Sequence, residues 1–181
     1  MTHDIDLSSI DQDLQKAAVL IPFIKHEKNW HLLFIRRASN EFDFHSGQVA
    51  FAGGKHESHD QDLYQTALRE AHEEIGINPL DVAILGKLNF HHSITHFQIT
   101  PVIGLIPWPY TLSLDEREVA RAFTIPLEWL ADPNNHRIEQ RRLTQEKSYP
   151  VVYFKEYDNE LLWGATARMT LSLISLLTCS T

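Results

Sequence analysis

Cysteine is almost missing from this chain. Cys179 is the only one in 181 residues, which excludes a disulfide within the chain and fits a reducing compartment. Long apolar runs are missing as well, since no stretch approaches the roughly 18 consecutive apolar residues of a membrane-spanning helix. The opening residues Met1-Thr2-His3-Asp4 and their acidic neighbours lack the basic-then-apolar pattern of an export signal. Cationic excess is also absent: 24 Asp and Glu against 16 Lys and Arg give a formal charge of −8. A field of that sign argues against non-specific binding to nucleic acid or to an anionic membrane. The expected setting is the cytoplasm. The expected partner is a small molecule, not a nucleic acid or a membrane, with the chain a monomer or homodimer.

What is present reads as one compact domain over residues 1–181, with about the first 14 as an N-terminal extension. The apolar share of 43% and charged share of 22% are ordinary for a globular protein, and a chain of this length buries about 70% of its unfolded surface. No internal repeat or low-complexity linker divides it. Lys16 to Ile24 is a short apolar run, and His31 to Arg36 is its expected hairpin partner across His26–Asn29. Gln48 to Ala52, Val82 to Phe90 and Phe97 to Leu105 read as further strands, with Pro101 marking an edge or a bulge. Val119 to Pro126 is another apolar stretch, and Leu127 to Leu130 a short helix. Arg137 to Leu143 and Val151 to Tyr157 read as a hairpin across Gln145–Lys147. Glu160 to Thr178 closes the chain as a helix with one buried side. Strands between helical layers form an α/β/α sandwich.

Chemistry concentrates between Gly53 and Ile77, which read GGKHESHDQDLYQTALREAHEEIGI. Arg69-Glu70-x-x-Glu73-Glu74-x-Gly76 sets three carboxylates and one guanidinium on about one and a half helical turns. Glu70, Glu73 and Glu74 are neighbours on the helix surface, while Tyr64, Leu68, Ala71 and Ile75 share a different face that can be buried. Gly76 stands where a helix ends in the left-handed conformation, and Pro79 follows as a stop. Asp60 and Asp62 stand near the helix start, where carboxylates suit the positive end of the dipole. Gly53 and Gly54 end a strand-like run in a glycine turn and allow backbone to approach a ligand closely. Acidic runs are usually solvated faces, but this one is built into a strand, turn, loop and capped helix. Hard oxygen donors in that setting suit Mg²⁺ or Mn²⁺, whose charge converts mutual repulsion into binding.

These residues resemble the signature of the Nudix hydrolases, G-x5-E-x7-R-E-U-x-E-E-x-G-U with U aliphatic. Arg69, Glu70, Ala71, Glu73, Glu74, Gly76 and Ile77 match its second half in register. The first half is one residue longer, since Gly54 lies fifteen positions before Arg69 and not fourteen, and the loop acid is Asp60, with Gln61 at the signature's Glu position. That spacing is similar to the coenzyme A diphosphatase branch of the family, whose box reads G-G-x-x-D-x-x-D followed by T-A-L-R-E-A-x-E-E. Glu57 and Asp60 stand for the two acids, and Thr66 to Ala71 match throughout. Upstream, the branch pattern L-L-T-x-R-S-x3-R-x3-G-x3-F-P-G-G is met by Arg37, Ala38, Gly47, Phe51, Gly53 and Gly54. It is broken by Asp43, in place of an arginine, and by Ala52, in place of a proline. Downstream, His92 to Pro107 and Trp163 to Met169 are similar to the branch's next strand and last helix.

The resemblance implies an α/β fold, an α/β/α sandwich with a mixed sheet, and metal-dependent hydrolysis of a pyrophosphate bond. Coenzyme A or a derivative as substrate would yield 3′,5′-ADP and 4′-phosphopantetheine. The alternatives are another nucleoside diphosphate derivative, such as ADP-ribose or a dinucleoside polyphosphate, and a nucleotide sensor without catalysis. Glu70 and Glu74, completed by Glu73, are the expected metal ligands. Arg69 is expected to orient a carboxylate or the glycine segment through its planar fork. Glu57, Asp60 and Glu118 are candidate general bases. Arg37, Gly53, Gly54 and Lys55 are expected to meet the substrate's phosphates, with Arg36 and His45 near them. Asp43 removes a positive charge beside a polyanion, which opens the way to dephospho or acyl forms. Of the 11 histidines, His91 and His92 are adjacent and point to opposite faces of any strand, so they do not share one ion. They belong instead to an expected loop near the substrate. Trp163 is expected to pack.

Overall fold

A computed structural model of the chain describes residues 14–39, 46–93, 96–142 and 148–178. Asp43, His45, Cys179 and the Gln145–Lys147 turn lie outside the described residues. β1 (Gln15–His26) and β2 (Asn29–Arg37) form the expected hairpin. Their pairing runs only from Phe23–Leu32 to His26–Asn29. Beyond that point the strands part, and one segment fills the gap: β3 (Val49–Ala50) pairs with β2, and β4 (Gly53–Lys55) pairs with β1. β5 (Ala83–Lys87) and β6 (His91–His92) line one side of β7 (Phe97–Ile106), whose other side runs parallel to β1. β8 (Val119–Pro126) adds antiparallel to the outer side of β2. The sheet is therefore mixed, as expected, and its glycine-bearing strand end sits near the middle.

Side chains of β1 alternate between two cores, so the strand is buried on both faces and reads as one apolar run. Ala18, Leu20 and Ile24 face α1 (Leu63–Ile75), together with Leu33, Ile35, Ala67, Ala71 and Ile75. Ile21 and Phe23 face the opposite layer with Phe34, Phe51 and Phe123. That layer comprises α2 (Leu127–Ala131), a separate hairpin of β9 (His136–Arg142) and β10 (Ser148–Phe154), and α3 (Gly164–Thr178). No helix among the described residues is long and apolar enough to cross a membrane.

Five local expectations change. β7 is no edge at Pro101, which is opposite Val19 of β1. The N–H that proline lacks faces the break between β5 and β6, where Leu88 donates to the Pro101 carbonyl at 2.9 Å. The expected strand over Val82–Phe90 is correspondingly shortened to Ala83–Lys87, and His91–His92 is a short strand, not a loop. α3 begins at Gly164, because Tyr157–Glu160 forms a tight turn with Asp158 and Asn159 both left-handed (φ 52° and 62°). Gly53 and Gly54 lie in strand β4, not in a turn.

A Cβ at Gly53 would stand 2.4 Å from the Ala18 carbonyl oxygen and 2.6 Å from the Val19 Cα. Both are backbone atoms of the central strand and cannot swing away. Gly53→Ala is expected to lower unfolding free energy by about 2–4 kcal/mol in urea titrations. A midpoint matching wild type would show that β4 does not press on β1 in this way.

Candidate active site

The parting of β1 and β2 sets the site. β4 enters the gap from the sheet's interior and ends beneath α1. At Gly54 a Cβ would come within 2.5 Å of the Glu70 carboxylate, so the absence of a side chain there makes room for an acid. The Gly53 N–H donates to Glu74 Oε2 at 2.9 Å. That donor, expected to face a ligand, is thus used within the protein.

α1 is capped as its sequence predicts. Asp62 accepts from the Gln65 N–H at the start, and Gly76 closes the end at φ 72°. The three glutamates do not form one outward stripe, however. Successive helical residues are about 100° apart, so Glu73 and Glu74 diverge: Glu74 joins Ala67 and Ala71 on the buried side at 3% exposure, while Glu73 points to solvent. Glu70 lies between them, half-buried. Tyr64 and Leu68 are also only half-buried, and Thr66 and Ala67 take the deeper positions.

Arg69 ties this helix to the loop before it. Its Nε and Nη2 donate to the two oxygens of Asp60, each at 3.0 Å, and Nη2 also reaches the Lys55 carbonyl at 2.9 Å. Its Nη1 holds Glu70 at 2.9 Å and Glu73 at 3.1 Å. Asp60 is buried and further accepts from the Glu57 N–H and the Thr66 hydroxyl. The Arg69 guanidinium keeps the Asp60 carboxyl well below the usual carboxylate range, outweighing the opposite effect of burial. Both Asp60 oxygens are thereby engaged by Arg69.

Glu74 behaves oppositely. Burial pushes its carboxyl up to about 7, against the Gly53 N–H and the charge of Arg37, with Glu70 and Glu118 adding to the rise. Burial also raises Glu70, against Arg69, with Glu73 and Glu118 contributing. Glu118 reaches this pair because its loop is pinned to the helix end: Ser113 N–H donates to the Ile75 carbonyl and Asp115 N–H to the Glu74 carbonyl. The Ala38 N–H then binds the Glu118 carbonyl at 2.7 Å, fixing the loop to the end of β2. Glu57 is more exposed and faces His59 at 3.4 Å. Lys55 is exposed, with its ammonium 5.3 Å from the Phe97 ring centre.

Arg36 is committed elsewhere. With Arg121 it neutralises Glu160, which is 4% exposed, at 3.1 and 3.0 Å. Sequence spacing gave no sign of that buried acid, since its partners lie on two other strands. Trp163 stacks on Tyr153 at 5.7 Å with the rings nearly parallel.

As the side chains stand, no three His, Cys, Asp or Glu groups among the described residues close on one point, because Arg69 draws Glu70 and Glu73 while Gly53 holds Glu74. The donor set still fits a hard divalent cation. Glu70 and Glu74 offer oxygens beside the same strand end, and burial pushes both toward the neutral form despite the nearby charges of Arg69 and Arg37.

The chain matches the NUDIX domain over residues 14–147. Over 154 residues it is 42% identical to an uncharacterised Nudix hydrolase, NudL, of Enterobacter sp. (strain 638), covering 84% of this chain and 78% of that protein. Its fold is similar to a mutT/nudix family protein from Listeria innocua (TM-score 0.58, 15% identity, 92% of this chain and 95% of the other). It is also similar to a C. elegans Ap4A hydrolase in a binary complex (TM-score 0.53, 19% identity, 64% and 82%). The chain belongs to the Nudix family and is a pyrophosphohydrolase.

Glu74 carries a stability signature that follows from its raised value. Between the ordinary 4.5 and about 7 the folded chain holds a proton that the unfolded chain has released. Its contribution is fully present below 4.5 and is lost as pH rises through 7, a change on the order of 3 kcal/mol. In chelator, wild type and Glu74→Gln are expected to unfold alike near pH 4.5, with wild type the less stable above pH 7. A divalent cation should restore wild type at the higher pH and not the variant. Parallel pH profiles in urea unfolding would contradict the burial of this charge.

Proposed function

We propose that this Nudix pyrophosphohydrolase splits the diphosphate bond of coenzyme A or one of its derivatives, releasing 3′,5′-ADP and 4′-phosphopantetheine. Mg²⁺ or Mn²⁺ is held by Glu70 and Glu74, with Glu73 completing the set. The observation that carries the reading is two carboxylates, half-buried Glu70 and buried Glu74, set against Gly54 and Gly53. The substrate side rests on the branch pattern around Arg37, Gly47 and Phe51 and on the Thr66–Ala71 match. When bound, the cation neutralises phosphate oxygens and activates water.

The chain's own residues divide the remaining work. Arg69 positions without touching substrate: its fork on Asp60 fixes the guanidinium, and its remaining Nη1 sets the rotamers of Glu70 and Glu73. Glu73, 56% exposed at its side chain, needs only to leave Arg69 to join the other two. Glu118 is the better-placed general base, since its charge reaches both Glu70 and Glu74, whereas Glu57 turns toward His59. Arg37 beside Glu74 and Lys55 at the end of β4 supply positive charge for the substrate's phosphates. Arg36, bound to Glu160, supports the fold instead. The lone cysteine keeps the cytoplasm as the proposed compartment.

Purified protein with Mg²⁺ or Mn²⁺ is expected to hydrolyse coenzyme A or its dephospho or acyl forms ahead of ADP-ribose, NADH and diadenosine polyphosphates, as read by chromatography of the products. Preference for one of the latter group removes the coenzyme A assignment. Tight binding without turnover of any member favours a sensor. Glu74→Gln is expected to lower kcat by about 10²-fold or more while remaining folded. Near-normal turnover would refute the ligand assignment.

A further inference from the structure

The hairpin of β9 and β10 carries a cationic cluster in a chain whose overall charge is −8. Arg137 and Arg141 lie four residues apart on β9, and so on one face of the strand. The Arg141 guanidinium stands 5.2 Å from the Trp163 ring centre and 5.6 Å from that of Tyr153, and Arg137 stands 5.3 Å from Tyr153. Beneath them the two rings are stacked, with 3° between their planes. Arg137 shares one bond with Glu139. Arg141 makes only its two ring contacts among the described residues, so its in-plane N–H donors remain available. A guanidinium laid on aromatic rings keeps those donors pointing sideways, in the geometry that grips a phosphate. The Tyr153 hydroxyl is buried with no partner among the described residues, a condition that calls for an explanation such as a ligand.

The cluster lies at the catalytic end of the sheet. The run from Glu160 to Arg168 crosses that end: Glu160 binds Arg36 on β2, and Arg168 donates to the Pro150 carbonyl and acts electrostatically on His91 of β6. Strand β4, with Gly53 and Gly54, lies between β2 and β6 in the sheet. Trp163 is within this crossing run. The run is on the opposite face of the sheet from α1, which sets the proposed site across the sheet from the strand end against which Glu70 and Glu74 rest.

We propose that Arg141, assisted by Arg137 on the Tyr153–Trp163 stack, is a recognition site for a phosphate monoester on the nucleotide half of the substrate, remote from the bond that is cut. The inference rests on the coenzyme A reading, whose nucleotide carries a 3′-phosphate. The test compares coenzyme A with dephospho-coenzyme A, which differ only in that group. In wild type kcat/KM favours coenzyme A, and in Arg141→Gln the ratio between the two substrates falls about tenfold or more, mainly through KM. Arg137→Gln moves it in the same direction. An unchanged ratio in both variants overturns the proposal.

If neither compound is hydrolysed, the coenzyme A reading fails and calorimetry decides the inference separately. Wild type with Mg²⁺ is expected to bind 3′,5′-ADP about tenfold more tightly than 5′-AMP, and Arg141→Gln to erase the gap. Equal affinities in wild type, or a gap that survives in the variant, overturn it. Inorganic phosphate that binds through Arg141 while the two nucleotides bind equally also overturns it, because the cluster is then a site for the free anion.

Discussion

A carboxylate buried against a strand end, with one backbone N–H as its hydrogen-bond donor, is the constraint on which the rest of the site depends. Glu74 is carried inward by the same helical face that buries Ala67 and Ala71. It meets β4 only because β1 and β2 part after a short hairpin and admit the Gly53–Lys55 segment between them. The two glycines have different reasons. Gly53 must be bare because the backbone of β1 is behind it, while a bare Gly54 leaves room for the Glu70 carboxylate in its present position. Neither requirement concerns a turn. Both follow from how closely the helix and sheet must approach for Glu70 and Glu74 to reach the same strand end.

Such an arrangement needs positive charge close by, and the fold supplies it unevenly. Arg69 is saturated by Asp60, the Lys55 carbonyl, Glu70 and Glu73. The Asp60–Arg69 pair is buried enough that losing one partner costs about 3–5 kcal/mol, which makes it a fixed pivot and not a titrating group. Asp60 therefore stays low while Glu74 is raised, although both are buried acids. The difference is a bidentate guanidinium against a single amide N–H. Two acids of one box are thereby assigned opposite tasks, one to hold the helix and one to remain short of charge.

Much of this was legible before any coordinates. Asp62 at the helix start, the Gly76 helix end, the β1–β2 hairpin and α2 follow from local residue chemistry that tertiary packing reinforces, while the mixed sheet is what the family resemblance implies. Three features were not legible, each for a physical reason. Glu73 and Glu74 were read as one stripe, yet adjacent helical residues diverge by about 100°, and only packing decides which turns inward. Pro101 reads as an edge or a bulge because sequence does not reveal that its bare side faces a break in the neighbouring strands. Glu160 was read as helix, and its burial depends on Arg36 and Arg121, brought from 124 and 39 residues away. Long-range neutralisation of a charge leaves no periodic trace in a sequence.

The distribution of charge then explains how a chain of −8 can accept a polyanion. Glu70, Glu73 and Glu74 are gathered on the α1 side of the sheet, where a divalent cation would offset them locally. Arginines on the other side are held in pairs, Arg36 with Arg121 on Glu160 and Arg137 with Arg141 on the Tyr153–Trp163 stack. The first pair is neutralised by its shared acid, whereas in the second Arg137 is paired with Glu139 and Arg141 keeps its guanidinium donors without an acidic partner among the described residues. A substrate with negative groups at both ends of its nucleotide would meet metal at one and arginine at the other. The order of events follows from this asymmetry. On the proposed reading, the α1 side without a cation would repel a diphosphate, so metal would precede or accompany substrate there, while the hairpin side would engage its phosphate independently of metal.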